Sequence, residues 1–250
     1  MEEALNKFIE YWKAKKNVIG ILITGSYALD SENKNSDIDI RIIYNKNQEK
    51  TTKGLTTIDG YIFSYLGRNI ETTKRRMSTD FLNRNKLEVG MFSIGKILYD
   101  KDNELKKIIK ISKTYLDTPF IQKKISKEEI YMRMYSLYTY KNFLESSEKD
   151  SPYFSYIYYI FMKMAFTSYS SFLGQEIFID TKIEKVLSDK QYRLRNNWVD
   201  FPDNKFVKLW TKCIEHKNIN TTSSKMIFDY LQKKMMKFNE NNIKMTWLEL

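Results

Sequence analysis

Two aspartates, Asp37 and Asp39, stand one residue apart in the run SDIDIRIIY, ten residues beyond the pair Gly25-Ser26. Strand side chains alternate between faces at about 3.3 Å per residue, which sets these two carboxylates on one face about 7 Å apart at Cα. Both can then reach one cation. Upstream, Val18 to Thr24 reads as a buried strand that breaks at Gly25, and Ser26 opens a short helix whose free N–H groups point at an incoming phosphate. A phosphate cradle facing a carboxylate pair suits a magnesium-bound nucleotide. The same residues also fit a plainer arrangement, an N-capped surface turn followed by an edge strand with two solvated aspartates.

A scaffold must hold these groups in place. Glu2 to Asn17 reads as an amphipathic helix with Leu5, Phe8, Ile9 and Trp12 on one face. Gly54 to Ile58 and Tyr61 to Leu66 are short strand-like runs joined by Asp59-Gly60, a type I′ hairpin signal.

The order Thr24-Gly25-Ser26, a ten-residue gap, then Asp37-Ile38-Asp39-Ile40 resembles the nucleotidyltransferase signature of the DNA polymerase beta superfamily. That signature is a strand, Gly-Gly or Gly-Ser, a short helix and loop, then Asp-x-Asp or Asp-x-Glu between apolar residues. Ser36 ahead of the pair is similar to what small antibiotic-modifying members show, the aminoglycoside and lincosamide nucleotidyltransferases. Gly95 to Asp102, followed by Glu104 to Ile108, resembles the last strand of the small core running into a helix after an Asp-rich turn, so the similarity spans about Val18 to Lys110. The resemblance implies transfer of a nucleoside monophosphate from an NTP to a hydroxyl, with release of pyrophosphate. Gly25 and Ser26 would hold the β/γ-phosphates, and Asp37 and Asp39 the Mg2+ or Mn2+ cofactor.

In that family a third carboxylate sits on the strand that follows, between two apolar residues. The segment similar to it is Phe63-Ser64-Tyr65, which gives Ser64 the place of the acid. A neutral hydroxyl is a poor Mg2+ ligand and no base at neutral pH. Asp59 is the nearest alternative acid, although an Asp-Gly turn gives it a structural task. Glu71, Asp80 and Glu88 lie beyond the hairpin, and the order of residues does not choose among them. Antibiotic nucleotidyltransferases also often carry a catalytic Glu on the first helix of the following bundle. Ile130 to Leu144 contains no acid, and Glu128, Glu129 and Glu145 only flank it.

The second half reads as helical. Glu128 to Phe143 places Ile130, Met134, Leu137 and Tyr138 in one stripe, and Ser151-Pro152 forms an N-cap and first turn for a helix reaching about Leu173 and stopped by Gly174. Its run YFSYIYYIFMKMAFTSYSSFL is long enough to cross a bilayer, but tyrosines, serines and Thr167 dilute it, which favours the buried centre of a bundle. The same aromatics could stack bases; burial as core is the simpler use. Further helices are expected at Lys182 to Arg193, Asn204 to His216 and Ser224 to Asn239. Cys213 and His216 share a helix face there, yet zinc wants three or four ligands.

The 250 residues, 42% hydrophobic, suffice for two compact domains, and scarce Gly and Pro leave no flexible linker. The expected fold is α+β: a small mixed-sheet nucleotidyltransferase core over 1–116, then a helical bundle over 117–250, with the boundary near Pro119. The Met-Glu-Glu start lacks a signal-peptide pattern and the single Cys213 excludes an internal disulfide framework, so a cytoplasmic protein without a membrane span is expected. The net charge of +11 favours a nucleotide, RNA or another anionic partner over a polycationic acceptor. Lys74-Arg75-Arg76 and Lys123-Lys124-Lys127 are the local basic clusters, each also explicable as a solvated helix face. Two functions remain open: a nucleotidyltransferase acting on a small molecule such as an antibiotic, on RNA or on a protein, or a catalytically impaired nucleotide-binding or regulatory module of the same fold.

Overall fold

A computed structural model gives the fold and describes residues 1–34, 36–120, 125–176 and 180–239. Lys123 and Lys124 of the second basic cluster lie outside the described residues. The chain divides into two compact units, residues 1–121 with 189–199, and residues 122–188 with 200–250.

The first unit runs α1 (Glu2–Lys13), β1 (Val18–Thr24), α2 (Gly25–Ala28), β2 (Ile38–Tyr44), β3 (Thr52–Ile58), β4 (Tyr61–Asn69), α3 (Ile70–Leu82), α4 (Leu87–Ile94), β5 (Lys96–Asp100) and α5 (Glu104–Asp117). The five strands form one sheet in the order β3-β4-β2-β1-β5. β2 and β4 run parallel; β1 with β2, β1 with β5, and β3 with β4 are antiparallel. A mixed sheet therefore follows. Asp59 and Gly60 both adopt positive φ, 49° and 82°, as a type I′ turn requires. The Asp-rich turn after β5 also has a local cause: the Asp100 carboxylate accepts the N–H groups of Leu105 (2.8 Å) and Lys106 (3.2 Å), free donors at the start of α5.

Alternation along β1 and β2 divides the core between the two faces of the sheet. On one face Ile21, Ile23, Ile38, Ile40, Ile42 and Phe63 meet the stripe Ala4, Phe8 and Trp12 of α1, with Phe8 and Phe63 stacked at 4.9 Å. Burying a side chain such as Phe8 contributes about 2 kcal/mol, which holds α1 to the sheet. On the other face Leu22 and Ile43 pack with Ile70 and Met77 of α3, Val89 and Phe92 of α4, and Leu105 and Ile108 of α5. Asp39 belongs to this second face.

The second unit contains α6 (Lys127–Ser146), α7 (Pro152–Phe172), α8 (Ile183–Ser188), α10 (Asn204–Ile214) and α11 (Thr221–Lys234). Between α8 and α10, α9 (Lys190–Asn196) falls in the stretch grouped with the first unit. The single helix expected over Lys182 to Arg193 is thus two. Asp189 takes extended backbone angles and its side chain accepts the Tyr192 N–H at 2.9 Å, capping a new helix rather than continuing the old one. Ser151 caps α7 and Gly174, at φ 69°, follows its end. One face of the aromatic run is core, with Phe154, Tyr158, Phe161, Phe166 and Tyr169 buried among Met134, Leu137, Phe206, Trp210 and Ile227, whereas Tyr153, Tyr156 and Tyr159 are exposed. Cys213 is buried among them, its backbone carbonyl accepting the Tyr158 hydroxyl at 2.8 Å, whereas His216 begins a short 3-10 turn. No helix among the described residues is long and apolar enough to cross a membrane.

Candidate active site

The end of β1 meets the start of β2 at one paired position, Thr24 opposite Asp39. Asp39 is opposite Ser64 on the parallel neighbour β4, and Ser64 is opposite Leu55 on the edge strand β3. Directly paired residues share a face, so Thr24, Asp39, Ser64 and Leu55 form one row across four strands. Thr24 is fully buried and its hydroxyl donates to the Asp39 backbone carbonyl at 3.4 Å, fastening the two strands at this end. Asp39 and Ser64 are half-buried, while Leu55 is 70% exposed.

Gly25 follows Thr24 at φ 68°, in the left-handed region that favours glycine. A Cβ at Gly25 would also collide with the Asp39 carboxylate. Glycine is required here twice over, by its φ and by the closeness of the aspartate. Ser26 lies in α2, only four residues long, and its carbonyl accepts the N–H groups of Leu29 (3.1 Å) and Ser31 (3.0 Å). Any phosphate affinity at this turn must come from individual N–H groups, because so short a helix has little dipole to add.

Asp37 is placed differently from the strand pair that alternation suggests. β2 begins at Ile38, so Asp37 is the half-buried residue just before it. The physical reason lies in the preceding turn, where the Ser36 N–H donates to the Asn33 carbonyl (2.9 Å) and the Ser36 hydroxyl accepts the Asn33 N–H (3.0 Å). The chain leaves that turn at Asp37.

The other acids are engaged elsewhere. Asp59 sits exposed at the hairpin tip, 2.8 Å from the Lys7 ammonium. Glu71 lies 3.7 Å from Lys74 on α3; Asp80 is buried and paired with Arg76 at 2.9 Å, so two of the three basic residues at 74–76 already face acids. Glu88 is buried on α4 and bonded to Arg68 of β4 at 2.8 Å. No group of three or more His, Cys, Asp and Glu suited to a metal occurs among the described residues.

One row deeper than Asp39, Arg41 of β2 is opposite Leu22 and Leu66 on the same face. Its Nη2 donates to Met91 Sδ at 2.9 Å, and its buried Nε has no hydrogen-bond partner among the described residues. Burial holds the Arg41 guanidinium below the ordinary arginine range, opposed by the charges of Glu88 and Asp39 and reinforced by Arg68. Sequence reasoning passed over Arg41, although it stands two residues beyond Asp39 in the same alternation. Its partners come from β4 and α4, whose approach no local pattern shows.

As a donor set, two carboxylates flanked by a turn without a side chain suit one hard cation. Mg2+ commonly takes one or two carboxylates and completes its shell with water and phosphate oxygens, and Mn2+ accepts the same oxygen donors. Asp37 and Asp39 fit that description. Ser64 offers no charge for a second ion.

Residues 5–121 match the family model of the nucleotidyltransferase domain. Among solved structures, a nucleotidyltransferase-like protein from Exiguobacterium sibiricum is similar at 14% identity and a TM-score of 0.40, over 92% of this chain and 75% of that one. No curated protein matches the chain. The match over residues 5–121, which takes in the whole Thr24–Asp39–Ser64 row, supports nucleotidyl transfer as the general chemistry of this part of the chain.

Proposed function

We propose that this protein binds a metal-bound nucleoside triphosphate at the turn after β1 and transfers a nucleoside monophosphate to a hydroxyl acceptor. The observation that carries the reading is the close approach of Gly25 to Asp39, which puts a bare backbone turn against a carboxylate where the interior strands β1 and β2 meet at their ends. Gly25 and Ser26 receive the β/γ-phosphates, and Asp37 and Asp39 hold Mg2+ or Mn2+. The cation, when bound, withdraws charge from the phosphate oxygens and so eases attack at the α-phosphorus. The acceptor oxygen forms the new bond to that phosphorus as the bond to the bridging oxygen breaks; pyrophosphate leaves with the electron pair. With Ser64 opposite Asp39, no carboxylate takes the acceptor proton there, and it passes to water.

Transfer is therefore slow in this reading. The acceptor is a small molecule of antibiotic type, or an RNA or protein, which the charge of +11 suits better than a polycation. Residues 1–116 act as the catalytic domain and 117–250 as the accompanying helical one, in a cytoplasmic protein.

A second reading has a specific observation in its favour. The pairing of Ser64 with Asp39, with no cluster of three metal-type ligands among the described residues, suits a nucleotide-binding module that has lost transfer. One experiment separates the two. Mg-ATP and Mg-GTP are titrated calorimetrically into wild type and Asp37→Ala, and pyrophosphate release is then followed. Binding that weakens at least about tenfold in the variant, with release in wild type, supports transfer. Binding without release leaves the module, and equal affinity in both proteins removes the metal clamp.

A further inference from the structure

The helical unit holds a cavity of about 530 Å3, none of whose lining residues belongs to the first unit. Small-molecule sites measure about 300–1,000 Å3 and are mostly apolar. One wall is a stripe of α7 that includes Met162 and Phe166; Trp210 and Ile214 of α10 and Ile183 of α8 add to it. The short side chains of Thr167 and Ser170 on the same stripe leave room that larger residues would fill.

Polar atoms in this wall are already satisfied by backbone. Thr167 Oγ1 donates to the carbonyls of Lys163 (3.0 Å) and Met164 (3.2 Å), Ser170 Oγ to that of Phe166 (2.8 Å), and Trp210 Nε1 to that of Met162 (2.9 Å). The interior thus offers van der Waals surface and asks for no polar ligand atom. Among the described residues, its charged lining groups are Lys163 and Asp180, paired at 2.6 Å with side chains 61% and 68% exposed. They mark the mouth. An exposed ion pair is weak enough for a ligand group to replace one member.

We propose that this cavity binds an amphipathic organic anion, an aromatic or aliphatic body carrying one carboxylate or sulfonate. The body lies against the accessible lining groups Tyr159, Ile183 and Ile214, over a floor of the buried Met162, Phe166 and Trp210, and the anionic end takes the place of Asp180 on Lys163 while staying in contact with water, where a charge costs least. An anion is chosen over a cation because a chain of net charge +11 draws anions and repels cations at long range.

The test uses the full chain and the fluorescent probe 8-anilinonaphthalene-1-sulfonate, with octanoate and octylamine as competitors. The proposal expects saturable binding at one site, displacement by octanoate and none by octylamine. Thr167→Trp should weaken probe binding by about tenfold or more, since the added ring takes the space a close-packed ligand needs. Lys163→Met should weaken it by about fivefold, the scale of an exposed ion pair. Both positions are exposed, so far-ultraviolet circular dichroism and the ligand-free unfolding midpoint should stay at wild-type values. Octanoate should raise that midpoint in wild type and not in Thr167→Trp. Absence of saturable binding, probe binding unchanged in both variants, or displacement by octylamine as effective as by octanoate would each overturn the proposal.

Discussion

Replacing Gly25 by alanine tests whether the turn after β1 and the Asp39 carboxylate work as one device. At φ 68° an L residue incurs about 1–2 kcal/mol of backbone strain, and at Gly25 its Cβ also strikes the carboxylate of Asp39. Gly60 supplies the matched control. It has φ 82°, lies in the same unit, and has nothing within 4 Å of the position its Cβ would take. Gly60→Ala should therefore show the backbone cost alone, a fall in thermal midpoint of about 2–4 °C for each kcal/mol in a chain of this length. Gly25→Ala should show at least that fall, and in addition turn Asp39 away from its position. Loss of one of two carboxylates from a metal-nucleotide site should weaken Mg-ATP binding by about tenfold or more, some 1.4 kcal/mol. Scanning calorimetry and isothermal titration of both variants measure the two effects separately. If Gly25→Ala binds Mg-ATP with wild-type affinity, or Gly60→Ala loses as much binding, the coupling between turn and carboxylate is refuted.

Three further predictions concern single side chains. Ser64→Asp places a carboxylate opposite Asp39 and should raise pyrophosphate release above wild type, while Ser64→Ala stays at wild type; a rate no higher than wild type in Ser64→Asp counts against a missing acid at this position. Glu88→Ala leaves Arg68 without its buried ion-pair partner and Arg41 with the charge of Asp39 alone, and should cost about 3 kcal/mol in urea denaturation; a loss below about 1 kcal/mol would mean that water already compensates them. Burial alone would raise the Asp203 carboxyl, but hydrogen bonds from the Tyr169 hydroxyl, the Phe206 N–H and the Tyr230 hydroxyl, together with Lys234, outweigh it and bring it from 3.8 to about 2. A depressed carboxyl stabilises above its unfolded value, so this contribution is present above about pH 4 and fades as the pH falls toward 2; Asp203→Asn should lack that part of the acid unfolding profile, and parallel profiles would refute the assignment.

What could be read from the residues alone follows the range of the forces involved. The Asp59-Gly60 turn, the Ser151-Pro152 start of α7 and the α1 stripe are set by neighbours within a few positions, and each appears where those local rules put it, although α1 ends at Lys13 and not at Asn17. In α3 only the start is local, the Asn69 side chain accepting the Thr72 N–H at 2.7 Å, and α4 has no side-chain cap. Their apolar residues Ile70, Met77, Val89 and Phe92 gain meaning only from a sheet face holding Leu22 and Ile43, residues far away in the chain.

The candidate site divides in the same way. Alternation within β2 is local and puts Arg41 on the face of Asp39, but whether the strand reaches back to Asp37 depends on the Asn33–Ser36 turn, a contact that competes with strand pairing. The pairing of Asp39 with Ser64 depends on the parallel register of β2 and β4, which no single strand encodes. That register decides the chemistry at stake. Moving β4 by one residue would put Phe63 or Tyr65 opposite Asp39 and turn Ser64 to the α1 face, which is packed with apolar residues. Phe63, fully buried and stacked on Phe8, resists such a slip, because its ring would have to leave the core. Ser64 is therefore held beside Asp39 by its neighbour's burial, and an acid introduced at Ser64 inherits that position without repacking of the α1 face. For that reason the Ser64→Asp result speaks to charge at this position and not to a rearranged sheet.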